Sequence, residues 1–152
     1  MSSVDRAIED ASRLALKDAA YFLWVRRLAL DHFEHPRPSR PIRSVNLHDP
    51  QALMKSVSAA FANVQRDRAT ATEGTTFVRL KRAHPEAGDH ALKSAIRNAV
   101  KFAEDCVKFF SLNGGDFAAN VANAIDRAKK DNPGFGEQTY KLARWELART
   151  MK

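Results

Sequence analysis

Cysteine is nearly absent from this chain of 152 residues, and glycine and proline are scarce. Because Cys106 is the single thiol, no disulfide can form within the chain, and its setting "AEDCVKFF" predicts a buried and unreactive side chain. The few glycines and prolines lie mostly where the apolar pattern stops, alanine is abundant, and β-branched residues are sparse. This composition is typical of a helical protein.

Long apolar runs are also missing. The longest uninterrupted run, Ala19 to Val25, has seven residues, whereas a helix needs about 20 apolar residues to cross a bilayer. The first residues include acids and lack the apolar segment of a signal peptide. The sequence therefore predicts a cytoplasmic protein with no membrane partner.

The familiar catalytic and metal-binding signatures are absent too. The chain contains no Walker-type phosphate loop, no GxSxG, no HExxH and no CxxC. Four potential metal ligands surround one loop that contains a proline and a glycine, and this arrangement predicts a polar turn: His84, Glu86, Asp89 and His90. We expect no metal, no cofactor and no hydrolytic or redox activity of a familiar type.

Apolar residues recur at steps of three and four along most of the chain, which predicts amphipathic helices. The first predicted helix runs from Ser3 to His35 and is apolar on more than one side. With Phe22 and Leu28 among its inward residues, it is expected at the centre of the fold, and Pro36 ends it. Further helices are predicted over residues 49–68, 76–84, 89–110 and 117–130, and from residue 137 onward.

Residues 76–84, "TFVRLKRAH", are the ambiguous segment. Their β-branched and aromatic residues are typical of a strand, but no second strand is evident for pairing, so a short helix is predicted. The pattern as a whole predicts an all-α fold in which residues 1–152 form a single compact bundle of four to five helices. Loops are predicted at 69–75 and 111–116, and "DNPGFG" predicts a turn before the last helix.

Residues 36–47 stand apart as an exposed connector rich in proline and arginine. The string "HPRPSRPIRSVN", which begins at His35, holds three prolines and three arginines and no acid. Prolines favour the extended polyproline II conformation, from which the arginines would project. Because this backbone is already stiff, binding a ligand would cost the segment little conformational entropy. Three interpretations stay open: a plain connector, a phosphate-binding arm, or a ligand for a polyproline-binding domain.

The positive charge is concentrated in and beside this connector. The net charge is +7, and residues 36–68 hold six basic and two acidic side chains. We predict phosphate contacts from eight basic residues: Arg37, Arg40, Arg43, Arg66, Arg68, Arg79, Lys81 and Arg82. Such contacts position a protein without reading sequence, so weak specificity is expected.

These observations leave three functions open. The leading one is a nucleic-acid-binding accessory or regulatory protein. The alternative is a protein-interaction module, such as an adaptor, an inhibitor or an assembly subunit, whose charge suits an acidic protein partner. The sequence does not distinguish a monomer from a homo-oligomer.

The third function is a small helical enzyme. The spacing of Arg27 and His32 in "RLALDH" resembles the arginine-to-histidine motif of HEPN-type ribonucleases, which are helical bundles. Arginine-to-histidine pairs five or six residues apart also occur from Arg26 to His32, from Arg43 to His48 and from Arg79 to His84, and a leucine follows Arg27 where a polar residue would be expected. A ribonuclease site would need a histidine, an arginine and a carboxylate in one cleft.

The last predicted helix carries Lys141, Trp145 and Arg149 at steps of four, on one face. A basic face with a tryptophan suits nucleic-acid stacking or a partner groove. The interpretation favoured by the sequence is a boundary position at which the indole covers the edge of the core.

Overall fold

The computed structural model describes residues 2–35, 50–51, 70–110 and 116–151. Within these ranges every regular element is an α-helix, which confirms the prediction of an all-α protein. The helices are α1 (Ser3–Ser12), α2 (Leu16–Val25), α3 (Arg27–Glu34), α4 (Thr75–Ala83), α5 (Asp89–Phe109), α6 (Phe117–Asp131) and α7 (Glu137–Thr150). None of these seven is long and apolar enough to span a membrane.

Seven helices in the described ranges exceed the four to five that the sequence predicts for the whole chain. The connector at 36–47 and nearly all of the helix predicted over 49–68 lie outside the described residues.

The single first helix predicted over residues 3–35 is wrong, because the structure divides it into α1, α2 and α3. After α1 the backbone N–H of Leu14 donates to the Ala11 carbonyl at 3.1 Å, three residues back instead of four, and Ala15 is extended with a ψ of 153°. Arg26, with a ψ of 1°, separates α2 from α3. Neither break contains glycine or proline, which are the residues that usually mark the end of a helix. The sequence therefore gives no sign of either break.

Helices α2 and α5 share the most extensive helix contact in the described part and form its centre. Leu23 on α2 and Phe102 on α5 are fully buried. Tyr21 stacks on Phe102 with the ring centroids 5.3 Å apart. The central element is therefore α2 alone, and not the whole N-terminal segment.

Two residues predicted to point inward do not lie in the core. Phe22 is partly buried, with the Arg26 guanidinium 4.4 Å from its ring centroid, and Leu28 is 67% exposed. The turn before Leu16 starts a new helix with its own rotation about the axis, so the inward face of α1 does not continue along α2. The neighbouring Leu23 is fully buried.

The ambiguous segment forms α4, which confirms the short helix predicted there. Its buried Thr76, Leu80 and Ala83 follow one another at steps of four and three, and α4 packs against α1, α2 and α5. Val78, one of the β-branched residues typical of a strand, is exposed on the opposite side. Helical spacing of the apolar residues therefore outweighed strand propensity.

The predicted turn joins α6 to α7 at residues 132–136, and a polar network holds it in place. Gly134 has a φ of +97°, a left-handed conformation that favours glycine. The Asn132 side-chain amide donates to the Asp105 carboxylate and to the Ala128 carbonyl, each at 2.8 Å. The Asn132 backbone carbonyl accepts the Tyr140 hydroxyl at 2.8 Å. The turn is thus bonded to α5, α6 and α7 at once.

The buried carboxylate of Asp18, on α2, sets the start of α7. It accepts the backbone N–H of Gly136 at 2.8 Å and the hydroxyl of Thr139. Gly136 occupies the N-cap position of α7 and has no side chain with which to cap the helix itself. A residue distant in sequence therefore supplies an acceptor for an N-terminal donor of this helix.

Leu23→Ala should lower the free energy of unfolding by about 2 to 5 kcal/mol, because it removes a fully buried side chain from the contact between α2 and α5. Phe22→Ala should cost less, although it deletes more atoms, because Phe22 is partly exposed. Urea unfolding of both variants measures the difference. An equal or larger loss for Phe22→Ala would contradict the buried face assigned to α2.

Asp105 should make stability depend on pH. Burial raises its pKa, but the hydrogen bond from Asn132 and the Lys101 ammonium at 2.9 Å lower the pKa more, to below the ordinary value of 3.8. A carboxyl whose pKa is lowered by folding stabilises the fold above its unfolded pKa, and this stabilisation is lost as the pH falls through the folded pKa. Asp105→Asn should therefore destabilise the protein at neutral pH, with a difference from wild type that shrinks below about pH 4. A difference that stays constant across urea titrations at acidic and neutral pH would exclude this role.

Candidate functional site

The eight basic residues predicted to contact phosphate divide into two groups. Five lie outside the described residues, so their predicted role is unchanged: Arg37, Arg40, Arg43, Arg66 and Arg68. Arg79, Lys81 and Arg82 lie on α4. Their surroundings on α4 can be compared one by one.

Arg79 is buried and joins α4 to α3. Its side chain is 2% exposed, and Nη2 lies 2.8 Å from Asp31 Oδ1 and 3.3 Å from Glu34 Oε2. Nη1 donates to the Thr75 hydroxyl at 3.3 Å, and that hydroxyl donates to Asp31 at 3.0 Å. A buried guanidinium paired with two partly exposed carboxylates of α3 is a structural cation, and it presents no surface to a phosphate group.

Lys81 and Arg82 are exposed, and each forms one ion pair. Lys81 Nζ lies 3.2 Å from Asp89 Oδ1 at the start of α5, and Arg82 Nη2 lies 3.1 Å from Asp5 Oδ1 on α1. Hydrogen bonding to Ser2 and the pairing with Arg82 lower the pKa of Asp5. Exposed pairs of this kind contribute about 0 to 1 kcal/mol, so a phosphate group could replace either carboxylate.

The three cations of α4 do not converge. Arg79 faces α3, Lys81 faces the start of α5, and Arg82 faces α1. Of the predicted phosphate-contacting residues that the structure describes, two are therefore exposed and one is buried.

A shallow cleft of about 90 Å³ lies beside the Arg79 ion pairs. It is lined by Trp24, Arg27, Leu28, Asp31, Thr70, Ala71, Gly74, Thr75 and Thr76. The Arg27 guanidinium lies 3.6 Å from the Trp24 ring centroid and donates to the Trp24 carbonyl at 2.9 Å. Pockets for cofactors and substrates are usually about 300 to 1,000 Å³, so this cleft suits a few water molecules and not a nucleotide.

The arginine and histidine pairs with ribonuclease-like spacing are not joined in one cleft of the described part. Arg27 stacks on Trp24, while His32 is exposed and does not line the cleft. Arg79 pairs with acids of α3, whereas His84 Nε2 lies 3.2 Å from the Ala11 carbonyl oxygen and Nδ1 3.3 Å from Glu86. These contacts offer no support for a ribonuclease site.

The loop with potential metal ligands has other contacts. His84 contacts Ala11 and Glu86, and Asp89 pairs with Lys81. Within the described ranges, no three His, Cys, Asp or Glu side chains come together as a metal site would require. Burial and the charge of Asp105 raise the pKa of Cys106 to about 12, which makes this thiol a poor nucleophile.

Trp145 is the residue that sequence reasoning misplaced. Its side chain is 60% exposed, so it does not cover the edge of the core as expected. The buried side of α7 carries Tyr140, Ala143 and Leu147. At 100° per residue, Trp145 lies 200° beyond Ala143, and this spacing was the available signal that it points outward.

No protein-family model, no curated protein and no solved structure is detectably similar to this chain. The function must therefore be argued from the residues themselves.

Arg79→Ala should destabilise the protein by about 1.5 to 3 kcal/mol, because it removes charged contacts between α3 and α4. Lys81→Ala and Arg82→Ala should each cost less than about 1 kcal/mol, because their ion pairs are exposed. Thermal unfolding of the three variants ranks them. Similar losses for all three would show that Arg79 has no special structural role.

Proposed function

We propose that the protein binds nucleic acid, as an accessory or regulatory protein that makes mainly phosphate contacts. The contacts are assigned to seven of the eight basic residues predicted from the sequence: Arg37, Arg40, Arg43, Arg66, Arg68, Lys81 and Arg82. Arg79 is left out because it is buried between carboxylates.

The distribution of charge along the chain carries this proposal. The described ranges contain 18 of the 25 basic residues and 16 of the 18 acidic residues, so their net charge is only +2. Residues 36–68 hold six basic and two acidic residues and supply +4 of the total of +7. A local excess of this kind attracts a polyanion, whereas balanced surface charges largely cancel.

Lys81 and Arg82 are also assigned phosphate contacts, because their ion pairs are weak. Each is about half exposed, and each contacts a carboxylate that is itself exposed. Because such pairs contribute little to stability, they can open when a phosphate group approaches. Binding would exchange one anion, the carboxylate, for another, the phosphate group, so the gain in free energy is small. These two residues are therefore assigned a smaller share of the affinity.

A protein-interaction module is the second candidate, and exposed apolar side chains favour it. Leu28 and Phe33 on α3, Val78 on α4 and Trp145 on α7 are each more than half exposed. Single exposed apolar residues are common, but aromatic ones are also enriched where proteins meet. A stable complex with a protein, with no affinity for DNA or RNA, would favour this function over the first.

Replacing Arg37, Arg40 and Arg43 together with alanine should weaken nucleic-acid binding without unfolding the protein. Each phosphate contact adds about 0.9 to the slope of log affinity against log salt for duplex DNA, so losing three should flatten the slope by up to about 2.7. Fluorescence anisotropy with labelled duplexes of unrelated sequence, over a range of salt concentrations, measures this slope. All sequences should be weakened alike.

The matched control replaces Arg6, Arg97 and Lys130, three exposed cations on α1, α5 and α6, with alanine. It changes the net charge by the same amount and should change the slope much less. Equal effects of the two triple variants would mean that overall charge, and not the connector, attracts nucleic acid. If the wild-type protein binds neither DNA nor RNA at low ionic strength, the proposed function is wrong.

A further inference from the structure

The outer face of α7 presents an aromatic side chain to solvent. Trp145 is 60% exposed on the side opposite the buried Tyr140 and Leu147. The second tryptophan of the chain, Trp24, is buried. Trp145 does not belong to the buried core, and most of its surface is open to a ligand.

Cations surround this ring. Lys141 lies one turn before Trp145, Arg149 one turn after, and Arg144 directly before it, all of them exposed. Arg149 lies 5.6 Å from the indole centroid and pairs with Glu146 at 2.8 Å. Lys141 and Arg144 form no ion pair with any described carboxylate. The charge of Arg149 is therefore paired with Glu146, whereas the charges of Lys141 and Arg144 are not neutralised by an ion pair within the described part of the protein.

The helix that carries this face is held in a fixed position. Asp18 caps its first turn from α2, and the Tyr140 hydroxyl donates to the turn that precedes the helix. Tyr140 also packs on Phe102 of α5, with centroids 5.4 Å apart. A ring on a rigid support loses little entropy when a ligand stacks on it, which favours binding.

We propose that the outer face of α7 binds single-stranded nucleic acid: an unpaired base stacks on the Trp145 indole, and Lys141 and Arg144 contact the adjoining phosphates. The inference rests on the proposed function and deepens it by naming the class of nucleic acid. In a duplex both faces of each base are stacked on neighbours, whereas an unpaired base has a free face for an aromatic side chain. Along α7, Lys141 and Trp145 are about 6 Å apart, a distance that one or two nucleotides can bridge.

A protein groove fits this face less well. Seating Trp145 in an apolar groove would also remove water from Lys141 and Arg144, for which the described part offers no carboxylate partner, and unpaired charges are costly to bury. Lysine is depleted at the centres of protein interfaces, although arginine is enriched there. A nucleic-acid strand brings its own phosphates to these cations.

The test compares binding of a short oligothymidylate to the wild-type protein, Trp145→Ala and Trp145→Phe, with Phe33→Ala as the matched control. Phe33 is an equally exposed aromatic residue on α3. Removing a stacking side chain should weaken binding of the oligothymidylate about 5- to 150-fold, with partial recovery in Trp145→Phe. Phe33→Ala should bind like wild type. All variants should keep the wild-type melting temperature, because the substituted residues are exposed.

Tryptophan fluorescence distinguishes stacking from charge. Oligothymidylate should quench the wild-type emission, and an abasic oligonucleotide of the same length should not, because it has phosphates but no bases. In Trp145→Phe only the buried Trp24 remains, so the quenching should disappear. Equal quenching by the abasic strand would overturn the proposed stacking.

The outcomes separate this inference from the proposed function. If the protein binds duplex and single strands with a steep salt dependence, but Trp145→Ala binds both like wild type, the inference fails and the proposed function stands. If Trp145→Ala loses binding of single strands while the connector variant retains binding, the inference holds and the assignment of phosphate contacts to the connector is wrong. If no nucleic acid binds, both fail, and an acidic protein becomes the ligand to test for.

Discussion

The stacking of Tyr21 on Phe102 is the contact on which the arrangement of the described helices depends most. It joins α2 to α5, and Phe102 has no exposed surface. The rings of Phe135 and Tyr140 pack on the same Phe102 ring, with centroids 5.0 and 5.4 Å away. One side chain of α5 thus contacts α2, the turn before α7, and α7 itself. Aromatic clusters combine large buried areas with preferred ring geometries, so they define both distance and orientation.

Polar contacts around this cluster fix the position of α7, which the ring contacts alone do not determine. Asp18 is directed at the first turn of α7, and Asn132 connects the preceding turn to Asp105 on α5. A buried polar group without a partner costs about 1 to 3 kcal/mol, so alternative positions of α7 that break these contacts are disfavoured. The orientation of the outer face of α7 therefore follows from bonds made on its inner side.

The later part of the chain was more predictable than its beginning, for a physical reason. Helices α6 and α7 begin where they were expected, because local signals, such as the Asp116 cap and the glycines before Glu137, mark their starts. The break after α1 lacks such a signal, since it depends on backbone bonds among ordinary residues. As a result the sequence predicts an inward position for Phe22, which the structure shows to be only partly buried, whereas its neighbour Leu23 is fully buried.

The candidate site was less predictable, since the role of a cation depends on partners distant in sequence. Arg79, Lys81 and Arg82 look alike in the string "RLKR", yet Arg79 is enclosed because Asp31 and Glu34 approach it from α3. Trp145 was misplaced for a simpler reason. Its offset from Ala143 and Leu147 is readable from helical spacing, but that offset is compatible with the predicted boundary position as well as with the exposed position that Trp145 has.

The ion pairs of α4 also limit which cations can supply affinity for a polyanion. If Arg82 leaves Asp5 to contact a phosphate group, the Asp5 carboxylate must be hydrated again, and the released carboxylate then repels the same phosphate. The net gain from Arg82 is small for both reasons, and the same holds for Lys81 and Asp89. A cation without a carboxylate partner has no such cost. Among the described residues of the two proposed surfaces, Lys141 and Arg144 meet this condition, so if the protein binds a polyanion, the balance of ion pairs favours the α7 face over α4.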